Sequence, residues 1–201
     1  MKVIFLDNDG VICLSNNWGS RHKKQKEWGG MKLSMRGREI PLEYRFDNFD
    51  QKAVKVLNKI LEETGSEIVV SSDWRFHATL EELGDYYESQ GIIKRPYDIT
   101  ERFHHRDWVE EGFVPEDFPW SRTDDLEQQR YFEIVRWLGK NPSVTHWVAV
   151  DDLHMGKEVT ASSYGPFTRE WGLENFVWTP RDWEGIKQSG VKDKILKYLG
   201  G

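Results

Sequence analysis

A single cysteine, Cys13, stands among 201 residues. One thiol excludes a disulfide framework and a cysteine zinc cluster, and it fits a reducing compartment. Long apolar runs are also missing. The run before Asp7 is only Val3 to Leu6, too short for a signal peptide, and no stretch has membrane-spanning length. These absences set the expectation of a cytoplasmic protein with no membrane partner. There is no Gly-x-x-x-x-Gly-Lys-Ser/Thr, which disfavours a P-loop kinase. Internal repeats and low-complexity linkers are absent. So is a basic excess: 28 Lys and Arg face 34 Asp and Glu, for a net charge of −6. That balance argues against a surface that coats DNA indiscriminately, although local basic patches can override it.

What remains is 38% apolar, 13% aromatic and 31% charged, the composition of a soluble globular chain. The length suits one domain over 1–201, large enough for a core without staples. Residues 2–6 read as a buried strand. After Cys13, "SNNWGSRHKKQKEWGGMKLSMRG" is polar, basic and punctuated by glycine, so loops or a short hairpin are expected. Residues 50–64 carry Ala53, Val54, Val56, Leu57, Ile60 and Leu61 at helical spacing, with Gly65 as the stop. "EIVVSS" reads as a second buried strand and 78–90 as a helix ending at Gly91. The stretch 92–120, with Pro96, Pro115 and Pro119, reads as irregular. A helix is predicted from near Thr123, where Ser121 and Asp124 have capping-box spacing, to Gly139. "HWVAV" at 146–150, "FVW" and a closing helix over 191–199 complete the pattern. Strands alternating with helices predict an α/β fold: a Rossmann-like parallel sheet with helices on both faces. Residues of about 13–49 and 92–122 would be small insertions over its mouth.

The polar residues sit at one place in each unit. The first strand ends at Asp7, the second at Ser71, and the strand 146–150 at Asp151, with Asp152 next. In an open parallel sheet these ends share one edge, where ligands bind. Asp7, Asp9, Asp151 and Asp152 would then converge with a hydroxyl. Clustered carboxylates repel and raise one another's pKa unless a cation neutralises them. A hard divalent ion with oxygen ligands fits, and Mg2+ is the expected one. Taken singly, an Asp after a strand is usually a cap or turn residue. As a set the three strand ends point to a site.

"DNDGV" resembles the first motif, Asp-x-Asp-Gly-Val/Thr, of the haloacid dehalogenase (HAD) superfamily. "IVVSS" resembles its second motif and "VAVDD" its fourth. "SSDWR", "RYFEIVRWL", "WVAVDD" and "WTPRDWEGI" are similar to a branch found in nucleic-acid repair proteins, related to the phosphatase half of phage polynucleotide kinase-phosphatases. The third motif is usually Lys; here the best-placed cation is Arg130. The resemblance implies a phosphomonoesterase. Asp7 would be the nucleophile that forms an aspartyl-phosphate, and Asp9 the acid that protonates the leaving oxygen and then activates water. Ser71 would bond a phosphoryl oxygen, and Arg130 would offset developing charge. The metal would bind Asp7, the Asp9 backbone carbonyl, and Asp151 or Asp152. Alternating residues of an extended chain share a face, so Asp7 and Asp9 can reach one phosphoryl group.

Other residues keep two readings. Ser72 and Asp73 are either substrate neighbours or helix caps, Trp74 either core or site, and Arg75 either an ion pair or a substrate contact. Cys13 reads as core, and His104 and His105 as loop or surface residues. Trp18 or Trp28 beside Arg21, His22, Lys23, Lys24 and Lys26 would stack a base while the cations hold a backbone, or else the segment is a solvated loop. The expected substrate is a phosphorylated nucleotide or oligonucleotide end. The rivals are a small phosphometabolite, or a non-catalytic protein that binds a phospho-ligand or a repair partner. Oligomeric state is left open.

Overall fold

The computed structural model describes residues 1–27, 40–112, 126–157 and 171–200. Five strands form one sheet: β1 Lys2–Leu6, β2 Glu67–Val70, β3 Asp98–Ile99, β4 His146–Asp151 and β5 Phe176–Trp178, in the order β3-β2-β1-β4-β5. Every pairing is parallel. The chain builds outward from β1 to β3, then crosses back to place β4 on the other side of β1. The switch point of the topology is thus the gap between β1 and β4, where open α/β sheets bind ligands.

The central residues of β1, β2 and β4 are apolar because both faces are covered. Val3, Ile4, Phe5 and Leu6 are all fully buried, as expected for a parallel sheet under helices on both sides. Ile4, Leu6, Ile68, Val70, Val148 and Val150 face α3 (Gln51–Thr64), α4 (Leu80–Ser89) and α7 (Val191–Tyr198). Val3, Phe5, Val69 and Ala149 face α6 (Leu126–Lys140) through Ile134 and Trp137. A short helix, α5 (His105–Glu110), rests on α6 through Trp108, Phe103 and Phe132.

The strongly amphipathic helices fall where periodicity puts them. In α3 the Asp50 carboxylate caps the start, accepting from the Lys52 and Ala53 N–H groups at 3.0 and 2.8 Å. Gly65 ends it in a left-handed conformation with φ of 66°. Thr79 and Glu82 form a reciprocal capping box on α4.

Four expectations are corrected. The segment after Cys13 is not a loop or hairpin at 20–27 but a helix, α1 (Ser20–Glu27), with no buried residue on it. Periodicity had nothing to report there. Its start is fixed from outside the segment, by the Asp47 carboxylate, which accepts from the Arg21 N–H at 2.7 Å and the Ser20 hydroxyl at 3.2 Å. A further turn, α2 (Leu42–Arg45), follows. The stretch 92–120 is not wholly irregular, since it contains β3 and α5. Gly139 does not end α6, which continues to Lys140; no side chain crowds that glycine. Finally, Asp151 is the last residue of β4, not the first beyond it, because its carbonyl accepts from the Thr179 N–H at 2.9 Å. The expected helix start at Ser121–Asp124, and Trp28, lie outside the described residues.

Candidate active site

β1 delivers Asp7 to the switch point. Its N–H continues the ladder to the Val150 carbonyl at 3.1 Å, and the chain then reverses at once. The Asn8 carbonyl accepts from the N–H groups of Val11, Ile12 and Cys13 at 3.3, 3.0 and 2.8 Å. This knot turns Asp9 back over the sheet edge. Gly10 takes φ of 68°, and a Cβ there would sit 2.3 Å from Asp152 Oδ2. Glycine is therefore required twice over, by conformation and by the approach of Asp152. The loop is braced from behind by "WTPRDWEGI": the Ile186 N–H donates to the Val11 carbonyl at 2.9 Å, and a Cβ on Gly185 would meet that same oxygen at 2.2 Å.

Three carboxylates converge: those of Asp7, Asp151 and Asp152 offer ligand oxygens within 4.8 Å of one another. Asp9 belongs to the site but not to this cluster. Its carboxylate is turned aside, with Oδ2 accepting from the Trp74 indole N–H at 2.8 Å. The expected convergence of four carboxylates is thus a convergence of three, with the fourth held by a neighbouring aromatic. Trp74 is buried and stacked on Phe46, with ring centres 4.5 Å apart, so the donor is fixed by packing.

Arg130 reaches in from α6. Its Nη1 lies 2.9 Å from Asp151 Oδ2 and 3.3 Å from Asp7 Oδ1, and its Nη2 is 3.1 Å from Asp73 Oδ1. Burial works against this cation, but the Asp151 and Asp7 charges hold it well above the usual arginine range. One guanidinium does not neutralise the cluster. Burial, and then the charges of Asp151 and Asp9, raise the Asp7 carboxyl to about 7 in spite of Arg130. Burial raises Asp151 to about 6, and burial with the Asp7 charge raises Asp152 to about 6. Asp9 is also raised, by burial first. An all-oxygen, under-neutralised set of this kind has the donor chemistry of a hard divalent cation.

Beside the cluster, the Ser71 N–H is tied to the Leu6 carbonyl at 2.9 Å, while its buried hydroxyl has no hydrogen-bond partner among the described residues. A buried hydroxyl left open at the end of a strand, next to a carboxylate, is the environment of an absent polar ligand. Ser72 is a cap, one of the two readings given to it. It caps the turn Asp73–Phe76 and hydrogen-bonds Asp7. Arg75 is an ion-pair residue: its Nη2 bonds Glu133 on α6 and both side chains are buried. Cys13 is buried core, with its thiol pushed up by burial. His104 is the N-cap of α5.

The basic segment divides. Lys24 is tied down, donating to the Phe46 carbonyl at 2.9 Å and to Asn48 Oδ1 at 3.0 Å. Arg21, Lys23 and Lys26 remain on the exposed face of α1, with Arg21 3.8 Å from Asp47. Trp18 sits at the rim: its indole N–H donates to the Cys13 carbonyl at 3.2 Å and it stays 48% exposed.

Two contributors escaped the sequence. Glu133, one helical turn beyond Arg130, holds Arg75 and also accepts from the Phe103 N–H at 3.2 Å. Trp178 lies opposite Asp151 in the β4–β5 register and donates its indole N–H to the Asp152 carbonyl at 2.8 Å. The strand-end rule that picked out Asp7, Ser71 and Asp151 would have flagged it, as the last residue of β5.

The model for the HAD domain in Swiss Army Knife RNA repair proteins matches residues 3–172. No curated protein and no solved structure matches the chain. Among the described residues no helix is long and apolar enough to cross a membrane. The doubly wound sheet, the ordered motifs and a match over most of the chain agree: the chain belongs to the HAD domains of Swiss Army Knife RNA repair proteins and carries a HAD-family hydrolase fold.

Proposed function

We propose that the protein is a Mg2+-dependent phosphomonoesterase acting on phosphorylated nucleic-acid ends through an aspartyl-phosphate on Asp7. The observation that carries this reading is the placement of Asp7 at the sheet's switch point, with Asp151, Asp152 and Arg130 around it and an unpartnered Ser71 hydroxyl beside it. Asp7, Asp151 and Asp152, with the Asp9 backbone carbonyl, would hold the ion. When bound, it would screen the anionic phosphoryl group from the anionic nucleophile.

An Asp7 oxygen attacks phosphorus as the bond to the leaving oxygen breaks, and Asp9 gives that oxygen its proton. Burial raises the Asp9 carboxyl, which suits an acid, and the Trp74 indole N–H holds one of its oxygens in place. Ser71 donates to a phosphoryl oxygen. Arg130 balances charge from its fixed place between Asp7 and Asp151. Asp9, now ionised, takes a proton from water, the oxygen of that water attacks phosphorus, and phosphate leaves Asp7 free. The repair context of the family supports a nucleic-acid end as substrate, and the cationic face of α1 at the rim supports an anionic chain beside the reacting group.

The test is a turnover screen with nitrophenyl phosphate, phosphometabolites, nucleotides and 3′- or 5′-phosphorylated oligonucleotides, with and without chelator. We expect Mg2+-dependent release of phosphate, fastest from an oligonucleotide end. Asp7→Asn should abolish it, because an amide cannot form the acyl-phosphate. Wild-type turnover by Asp7→Asn, or full activity in excess chelator, would sink the mechanism. Preference for a phosphometabolite would replace the substrate class.

A further inference from the structure

We propose that a groove along the open edge of β5 binds single-stranded polynucleotide and seats the nucleotides adjoining the phosphorylated end at Asp7. The substrate class rests on the function proposed above; the groove itself rests on separate observations. β5 pairs only with β4, so its outer edge has no strand partner among the described residues. A cavity of about 630 Å3 runs there between β5 and α7. Most of its lining comes after residue 172, beyond the family match.

The groove meets the active site at Trp178. The indole N–H holds the Asp152 carbonyl at 2.8 Å while the ring stays 41% exposed. His154 stands edge-on to it with ring centres 4.7 Å apart, and Phe176 lies beyond at 5.8 Å from His154. The exposed face of Trp178, backed by the half-buried His154 and Phe176 rings, can stack an unpaired base, which offers a π-face whatever its sequence.

The charge has the right sign. Lys157, Arg181 and Lys194 line the groove against a single acid, Glu174, in a chain whose net charge is −6. Lys157 pairs with Glu174 at 2.5 Å and Arg181 with Glu184 at 3.0 Å, both across exposed side chains. Such surface pairs contribute little and exchange readily for a phosphate. Lys194 makes no ion pair among the described residues. A duplex would not serve, because its bases are stacked inside and cannot reach the rings.

The experiment is a fluorescence-anisotropy titration of the full chain with a labelled short oligothymidylate that lacks a terminal phosphate, over a range of salt. A blunt duplex and an acidic polypeptide serve as competitors, and hydrolysis of nitrophenyl phosphate is measured in parallel. Arg181→Ala with Lys194→Ala should weaken binding and make the plot of log affinity against log salt shallower by about 1.4, from two lost counterion releases. Nitrophenyl phosphate turnover should stay within about twofold, since that ester has no strand to hold. Trp178→Ala should weaken binding at least about fivefold, and Trp178→Phe should restore most of it. Unchanged affinity and salt slope in the double variant would overturn the groove. So would wild-type protein that ignores the single strand, or that releases it to the duplex or the polypeptide. Strand binding lost in the variants, in a protein that hydrolyses no phosphomonoester, would keep the groove and remove the proposed function. Turnover without strand binding would do the reverse.

Discussion

The acidic cluster makes the stability of the metal-free protein depend on pH in an unusual direction. An ordinary aspartate ionises near 3.8, whereas Asp7 stands at about 7 and Asp151 and Asp152 at about 6, chiefly through burial. Between those limits the folded chain binds more protons than the unfolded one. Stability is then highest near the bottom of the window and falls as pH rises through it. The rise of the Asp7 carboxyl corresponds to roughly 4 kcal/mol across the whole window, of which about 2–3 kcal/mol is lost between pH 5 and pH 8. Repulsion within the cluster makes the first ionisations easier than the last, so the three displacements do not add. For a chain of this length 1 kcal/mol moves Tm by about 2–4 °C, so the part lost through Asp7 between pH 5 and pH 8 should lower Tm in chelator by about 5–10 °C. Asp9 and Glu133, also raised by burial, act in the same direction. The depressed carboxyls of Asp50 and Glu82 lose their stabilisation only below the window. On the proposed function Mg2+ would bind the ionised cluster, so it should stabilise most at high pH, by about 2.7 kcal/mol at a hundredfold excess over Kd. The assay is thermal melting followed by tryptophan fluorescence, with chelator or Mg2+, across that pH range. Asp151→Asn should flatten the chelator profile and remove the Mg2+ response. A Tm in chelator that is flat or rising from pH 5 to pH 8, or an equal profile in Mg2+, would refute the reasoning.

Three further outcomes are expected. Gly10→Ala forces a side chain into a left-handed backbone, at about 1–2 kcal/mol, and drives its Cβ onto Asp152; melting should show both a lower Tm and a weakened Mg2+ response, and a wild-type response would contradict the contact. Arg75→Met leaves Glu133 buried without its cation and should destabilise by about 3–5 kcal/mol in urea unfolding, with Glu133→Leu in the same chain recovering much of the loss; independent, additive losses would show that the pair is not coupled. Replacing Arg21, Lys23 and Lys26 by Ala should raise KM for a phosphorylated oligonucleotide and make its salt dependence shallower by about 2, while nitrophenyl phosphate hydrolysis is unchanged; an unchanged ratio of the two kcat/KM values would make the face of α1 a solvated surface only.

The sequence by itself determined the elements whose information is local. The apolar runs of β1, β2 and β4 and the periodic faces of α3 and α7 are written in consecutive residues, as are Asp50 and Gly65 at the ends of α3. Because a parallel sheet gathers its strand ends on one edge, the position of Asp7, Ser71 and Asp151 at those ends already marked the site, and Arg130 followed from the motif order. The partners of these groups were decided only by the tertiary structure, since a carboxylate's neighbours come from other strands and helices. Asp9 turns to Trp74 because Phe46, from a different segment, fixes that indole. Lys24 is withdrawn from the basic face by the Phe46 carbonyl and Asn48. α1 forms although no apolar stripe announces it, because the Asp47 carboxylate, beyond the next stretch of chain, satisfies the Arg21 N–H in its first turn. Trp178 stands in sequence only as the end of "FVW" and becomes the wall beside Asp152 when β5 pairs with β4 in register. Periodicity reports which face of an element is buried; it carries no record of what that face meets.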